Sequence, residues 1–346
     1  MSSSAAGPSR WETILGRPSG VTTFTLRLAF GVAGAFVAAE LLGWSPSFLA
    51  PVIALQFLVR PGPPPSLVQA LVVVLTIVIS SWLTLVVTSL LIGHVGPLIL
   101  VLGLMLFLSF YAHFRGAPAI VTLLSQICIV TIPVLFIASD PLAEGIQSVL
   151  IAAAIIGICV TWIVHAVFPA TGEMAAAAAQ QPDLDARGAV AHAAVATGII
   201  MPMLIWYLLD ASQVAVVLLI VLLSIVRLPD PDEGTRAALG LMIGNAGGGL
   251  AAVLVYHLCV IGHSTLLFAL IVLLSCLLFS VRITAADKLA PIFAIAFSVF
   301  LILLGAGLSP LPGGAEESFA SRLIYVLLGT AYATAALSIV GIGRRR

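Results

Sequence analysis

Residues 66–92 read SLVQALVVVLTIVISSWLTLVVTSLLI, an apolar run that contains no Asp, Glu, Lys or Arg. About 20 apolar residues in an α-helix span the roughly 30 Å hydrocarbon core of a bilayer. Similar runs recur along the 346-residue chain, which is 61% hydrophobic, only 8% charged and has a mean hydropathy of +1.23. So few polar side chains cannot coat a water-soluble globule of this size. The sequence therefore predicts an all-α integral membrane protein.

These runs predict twelve transmembrane helices. The six in the first half are expected at 22–42, 46–59, 66–92, 96–113, 118–139 and 144–167. The six in the second half are expected at 188–209, 212–226, 236–258, 264–281, 286–308 and 317–342. Strands of a membrane barrel would instead alternate apolar and polar residues over about ten positions, which these runs do not do.

The two sets of helices show an internal repeat. Val59-Arg60 matches Val226-Arg227, and Arg115 matches Arg282, in each case 167 positions later. Because each repeat has an even number of helices, both enter the membrane in the same direction, related by a pseudo-twofold axis along the membrane normal. The predicted units are a cytoplasmic tail at 1–21, a six-helix repeat at 22–167, a linker at 168–187, a second repeat at 188–342 and a basic tail at 343–346.

The cationic residues indicate the orientation. With twelve spans, Arg27 and nearly all other Lys and Arg residues fall on or beside one face, and only Arg322 falls on the other. Short cytoplasmic loops retain Lys and Arg, so both termini are predicted in the cytoplasm. The polar residues 1–20 lack the apolar core of a secretory signal, which favours a cytoplasmic tail.

The second span of each repeat is unusually short. Residues 46–59 and 212–226 reach only about 21 Å, and they end at Arg60 and Arg227, each followed by prolines. Short, proline-broken segments at matching positions point to a transport site. Since a guanidinium can hold a carboxylate through two hydrogen bonds, Arg60, Arg227 and the nearby Gln56 are predicted to bind an anion. Alternatively, both arginines lie at the headgroups and only enforce topology.

Small residues recur every fourth position on the third span of each repeat. In the first repeat they are Thr76, Ser80 and Thr84. In the second repeat they are Gly240, Gly244 and Gly248. This spacing forms one helical stripe, and small residues let two helices approach closely, so a packing role is favoured. The alternative is a small-residue lining that leaves room for a substrate.

Other polar residues within the apolar segments are few. Asn245 and Gln126 can face a substrate path or simply bond a neighbouring helix. Glu40, His192 and Asp287 lie near predicted helix ends, where a charge costs little, so an interfacial position without a function is the plain interpretation. Because His titrates near neutral pH, His192 is nonetheless the first candidate for proton coupling, with Glu40 and Asp287 as the others.

Signatures of enzymes are missing from the sequence. There is no phosphate-binding loop, metal-binding His-Glu helix motif or nucleophile elbow. The four cysteines fall within apolar spans without the spacing of a zinc site, so they are interpreted as small core residues. We therefore expect neither enzymatic activity nor a cofactor, metal or nucleic-acid partner.

Residues 27–31 read RLAFG and are followed by WSPSFLAP at 44–51, while residues 234–240 read GTRAALG. These motifs and the six-plus-six layout resemble the fusaric acid resistance and aromatic acid exporter superfamily. The resemblance implies export of small aromatic or other organic acids across the bacterial inner membrane, often with a periplasmic adaptor (membrane fusion) protein. The chain differs from longer members because no cytoplasmic domain follows each helical half, and because prolines at 61–65 replace a Gly-rich pattern.

The sequence thus predicts an exporter of a small organic anion that works by alternating access, with protons as the default coupling ion. Two other classes remain open. A passive organic-anion channel needs no titrating residue, and distant relatives of the superfamily resemble plant channels of this kind. A non-transporting scaffold or accessory subunit is compatible with the scarcity of charges deep in the spans. The oligomeric state is left open.

Overall fold

The computed structural model describes residues 20–44, 46–59, 62–138, 140–169, 184–209, 234–261, 264–285 and 289–308, together with Leu328, Ala331, Tyr332 and Ala335. The regular elements in these ranges are ten α-helices. They are α1 (Gly20–Leu41), α2 (Leu49–Leu58), α3 (Leu67–Leu91), α4 (Val95–Phe114), α5 (Ala119–Ala138), α6 (Asp140–Val167), α7 (Ala186–Leu209), α8 (Gly234–Ile261), α9 (Thr265–Thr284) and α10 (Ala290–Leu308).

Nine of the ten described helices, all but α2, are long and apolar enough to cross a membrane. The prediction of an all-α, multi-pass membrane protein is therefore confirmed. The predicted span at 212–226 and nearly all of the span at 317–342 lie outside the described residues. The count of twelve helices and the repeat symmetry consequently stay predictions.

Helix α2 is shorter than the predicted span at 46–59. It covers only Leu49–Leu58, and its ten residues rise about 15 Å, half the thickness of a bilayer core. Pro51 lies in its first turn, where the missing N–H would have no helical partner anyway. All its residues except Gln56 and Phe57 are buried, because α1, α5, α6 and α10 surround it. The helix is a core element that does not cross the bilayer.

The start of α3 is determined by a capping box. The Ser66 hydroxyl accepts a hydrogen bond from the Gln69 backbone N–H at 3.2 Å, and the Ser66 N–H donates to the Gln69 side-chain oxygen at 2.9 Å. These two bonds satisfy backbone donors that the first helical turn leaves open. The chain can therefore return to helix directly after the prolines at 63–65.

The long helices pack against one another in pairs. Helix α3 packs against α5, and α8 packs against α10. Helix α1 packs against α9, and α4 packs against α7. Large apolar side chains on the outer faces of α3 and α9 are exposed, among them Leu71, Leu75, Leu274 and Leu278. An apolar outer face is what a lipid environment requires.

Aromatic rings fill the contact between α9 and α10. The Phe279 ring contacts those of Phe297 and Phe300, at centroid distances of 5.1 and 5.2 Å. Such pairs add to the stabilisation from burial. Cysteines also contribute, since Cys128, Cys259 and Cys276 are buried. Cys159 is exposed, so its assignment to the core is wrong, because its position on α6 faces away from the neighbouring helices.

Candidate functional site

Helix α1 places a cationic side chain inside the protein. Arg27 lies about two turns after the start of α1, and its side chain is 3% exposed. Its Nε and Nη1 atoms are enclosed and have no hydrogen-bond partner. The guanidinium carbon lies 5.4 Å from the centre of the Phe24 ring, a cation–π contact that offsets only part of the cost of burial. Buried charges are normally paired, so Arg27 retains unused donor capacity.

A second titratable side chain, His165 on α6, lies between two carbonyl groups. Its Nδ1 is 2.7 Å from the Thr161 oxygen, and its Nε2 is 3.3 Å from the Gly62 oxygen. Carbonyl oxygens only accept hydrogen bonds, and a neutral imidazole has a single N–H to donate. A neutral His165 can therefore donate to one of these two oxygens at a time.

The backbone between α2 and α3 is held by α6. Trp162 donates its indole N–H to the Pro65 carbonyl oxygen at 2.8 Å, and His165 contacts the Gly62 oxygen. Non-helical backbone at membrane depth is tolerated only where protein or a water-filled cavity satisfies it. The side chains of α6 satisfy part of this break in the helical structure.

Arg27 and His165 belong to the same region. Gly31 stands one turn after Arg27 on the same face of α1, and a Cβ there would meet Leu58 and would lie 3.3 Å from Val164. This face of α1 therefore meets the end of α2 and the end of α6. We call Arg27, His165 and the Gly62 carbonyl the α1–α6 site.

The predicted anion-binding residues are only partly described. Arg60 and Arg227 lie outside the described residues, so their assignment stays a prediction. Gln56 is half-buried on α2. Gln126 on α5 is fully buried, and neither its Oε1 nor its Nε2 has a partner. Asn245 on α8 is also fully buried.

Two of the candidates for proton coupling, His192 and Glu40, lie on different helices. His192 is half-buried on α7, with its Nδ1 2.8 Å from the Gly188 oxygen and its ring 5.4 Å from that of Phe114. Glu40 lies at the end of α1 opposite Arg27, and Asp287 lies outside the described residues. Glu40 lines a pocket of about 400 Å³ together with Val37, Leu41, Ser264, Thr265, Phe268 and Leu308.

One of the hydroxyl side chains that recur along α3 is hydrogen-bonded to α5. Ser80 donates to the Ser125 hydroxyl of α5 at 3.1 Å. Thr76 and Thr84 donate to carbonyl oxygens of their own helix, those of Val72 and Ser80. Of these three residues, Ser80 is the one that hydrogen-bonds to a neighbouring helix.

The glycine stripe of α8 lies against the backbone of α10. A Cβ at Gly240 would lie 3.3 Å from the Ile292 side chain, and one at Gly244 would lie 3.0 Å from the Ile292 carbonyl oxygen. A Cβ at Gly248 would overlap the Ala296 carbonyl oxygen. The approach of the two helices is therefore too close for any side chain at Gly248.

Sequence reasoning missed the α1–α6 site. The charge pattern groups Arg27 with the cations of one membrane face, whereas the structure encloses it, because α2 and α6 cover this face of α1. Its place well inside the apolar run that ends at Leu41 was the available signal. His165 offered only its position near the end of α6. Within the described ranges, no group of three His, Cys, Asp or Glu residues could hold a metal ion.

The fold and this site define a polytopic α-helical membrane protein with an enclosed cation beside an interrupted helix. A family model described as a protein of unknown function (DUF2955) matches residues 25–164, from early in α1 to near the end of α6. The matched segment includes Arg27 and Trp162, and it ends one residue before His165. Comparison with the curated proteins and with the solved structures finds no match.

Proposed function

We propose that the chain is a bacterial inner-membrane transporter that exports small organic acids, in particular aromatic ones, from the cytoplasm. The observation that carries this proposal is α2, a ten-residue helix that is enclosed by four other helices and followed by non-helical backbone held by α6. Discontinuous helices inside the membrane domain form the substrate sites of many secondary transporters. A membrane anchor or scaffold has no need of such an element.

The proposed architecture is two parallel six-helix repeats. Under the shift of 167 residues, α1 corresponds to α7 and α4 corresponds to α9. The contacts α1–α9 and α7–α4 are then equivalent, as are α3–α5 and α8–α10. Tyr332, which corresponds to His165, donates to the Ile199 carbonyl oxygen of α7 at 3.2 Å, and α6 likewise contacts α1. These matching contacts support the repeat.

The proposed route lies between the two repeats, where α1 meets α9. At one end of this contact the hydroxyl oxygens of Thr25 and Thr284 are 2.7 Å apart. At the other end lies the pocket of about 400 Å³ that Glu40 lines. With both termini in the cytoplasm, as proposed, the contact is closed on the cytoplasmic side and open on the outer side. This asymmetry supports alternating access.

The remaining assignments extend this proposal. Arg60 and Arg227 would attract the anion on the cytoplasmic side, and Gln56, Gln126 and Asn245 would offer polar contacts along the route. Proton coupling is proposed, with His192, Glu40 and Asp287 as candidates. A periplasmic adaptor protein is a further proposed partner, implied by the resemblance to aromatic acid exporters.

The test is uptake of labelled benzoate into proteoliposomes that contain only this chain, with and without an imposed proton gradient. We expect saturable uptake that follows the gradient, loss of uptake in Arg60→Ala and none in protein-free liposomes. Uptake that neither saturates nor responds to the gradient would identify a channel. Absence of flux for a panel of acids, with a second envelope protein that always co-purifies, would identify an accessory subunit.

A further inference from the structure

We propose that Arg27 binds the carboxylate of the transported acid. This inference rests on the proposed transport function for the identity of the ligand. It assigns the substrate contact to an enclosed side chain of α1.

The first argument for an external anion is that Arg27 lacks a counter-charge. Helices α2, α6 and α9 pack against α1. Helix α2 has no charged residue, and α9 carries only the cation Arg282. The acidic residues of α6, Asp140 and Glu144, belong to its opposite end, as Glu40 does on α1. Within the described part of the chain, no carboxylate is placed to pair with Arg27.

The enclosed donors of Arg27 supply the second part of the case. Nε and Nη1 are shielded from solvent without a partner, although a buried charge is strongly destabilising unless it is paired and hydrogen-bonded. An arginine that merely extends to the headgroups would keep its guanidinium in water, whereas Arg27 is 3% exposed. A bound carboxylate would satisfy these donors through charge-assisted hydrogen bonds.

The surroundings of Arg27 indicate the class of ligand. The Phe24 ring lies beside the guanidinium, and Leu58 and Val164 line the next turn along α1. An apolar wall around a single cation suits an acid that has one carboxylate and an aromatic or aliphatic body. It suits a polyanion poorly, because additional negative charges would find no partner.

The experiment is equilibrium binding of labelled benzoate to the full chain in nanodiscs, with benzamide as the uncharged competitor. We expect saturable binding that benzamide does not displace. Arg27→Gln should weaken binding by roughly tenfold or more, as expected for loss of a charge-assisted hydrogen bond.

Arg282→Gln is the matched control, because Arg282 also lies over a phenylalanine ring, at 5.9 Å from Phe293, but is exposed. It should bind benzoate as the unaltered chain does. The melting temperature separates an effect on binding from an effect on folding. In the absence of ligand, Arg27→Gln should melt no lower than the unaltered chain. Benzoate should raise the melting temperature of the unaltered chain but not that of Arg27→Gln. An Arg27→Gln protein that melts normally and binds benzoate at full affinity would overturn the proposal.

Two further outcomes separate this proposal from the proposed function. Benzoate binding that depends on Arg27, in a chain without flux in proteoliposomes, would support the site and contradict transport. Flux that persists in Arg27→Gln with an unchanged KM would overturn the site and leave the transport function standing. Failure of the unaltered chain to bind benzoate would also overturn the site as stated.

Discussion

The helices of residues 20–167 and those that follow residue 184 pack in a similar order but use different side chains. The α3–α5 contact includes a hydrogen bond between Ser80 and Ser125, whereas the α8–α10 contact brings Gly248 directly against the Ala296 backbone. Small residues serve both contacts, but only the glycine contact leaves no space for a Cβ. The comparison teaches that two helix pairs can be packed through different small residues, one by a hydrogen bond between hydroxyls and the other by contact with backbone.

The difference also extends to charge. Under the same shift of 167 residues, Arg27 corresponds to Ala194 and His165 corresponds to Tyr332. Arg27 therefore has no cationic counterpart 167 residues later in the chain.

The largest expected effect concerns the glycine contact. In Gly248→Val the new Cβ would meet the Ala296 carbonyl oxygen, a backbone atom that cannot move aside, so we expect a loss of about 3 kcal/mol in unfolding free energy. Gly247→Val is the control, because no atom lies within 4 Å of a Cβ there. Denaturant unfolding of the purified variants in detergent measures both. Equal losses would contradict the close approach of α8 and α10.

A smaller effect is expected where α6 supports α2. A Cβ at Gly157 would lie 3.0 Å from Ile53 and 3.2 Å from the Ala54 backbone nitrogen. Gly157→Ala should therefore cost about 1–2 kcal/mol by overpacking. Gly145→Ala on the same helix meets nothing within 4 Å, and because alanine favours a helix more than glycine does, it should not lower the melting temperature. A neutral Gly157→Ala would mean that α2 is not tightly enclosed.

Gln126→Leu should raise stability. The buried amide has two atoms without a partner, and a leucine of similar size would remove that penalty, so we expect a gain of about 1 kcal/mol. Thermal unfolding in detergent measures this gain, with Gln147→Leu as the control at a half-buried position of α6. A marked loss of stability would show that the Gln126 amide is satisfied by water or lipid. A gain together with reduced flux would place Gln126 on the substrate path.

The smallest effect is expected for the hydroxyl contact. Ser80→Ala removes one interhelical hydrogen bond, which in membrane proteins contributes about 0.6 kcal/mol on average. A double-mutant cycle with Ser125→Ala isolates this coupling energy. Ser89→Ala is the control, because Ser89 donates to the Val86 carbonyl oxygen of its own helix. A coupling energy near zero would mean that α3 and α5 are held by packing alone.

The sequence predicted helix positions well because the bilayer requirement is strong. The apolar run at 66–92 became α3 (Leu67–Leu91), with an end residue shifted at each side. Helix α6 begins at Asp140 instead of residue 144, in keeping with the favourable placement of acidic residues near a helix start. The span at 46–59 was predicted too long, because apolar composition does not show where α2 begins and ends inside the protein.

The α1–α6 site could not be predicted in the same way. An apolar run records that Arg27 is present but not which helices cover it. His165 contacts the Gly62 carbonyl, which is 103 positions earlier in the chain, and no local pattern connects the two. Enclosure and long-range hydrogen bonding are properties of the packed helices, and a single sequence offers no measure of them.

The hydrogen bonds from Trp162 and His165 to the segment after α2 have a consequence for electrical behaviour. At about 0.6 kcal/mol each, the two bonds favour the state in which this segment is attached to α6 over the detached state by a population ratio of only about eight to one. A membrane potential of 100 mV does about 2.3 kcal/mol of work on one charge that crosses the bilayer. Residues 62–65 carry no charge, so the potential does no work on this segment, and the balance between its attached and detached states should be the same at any voltage.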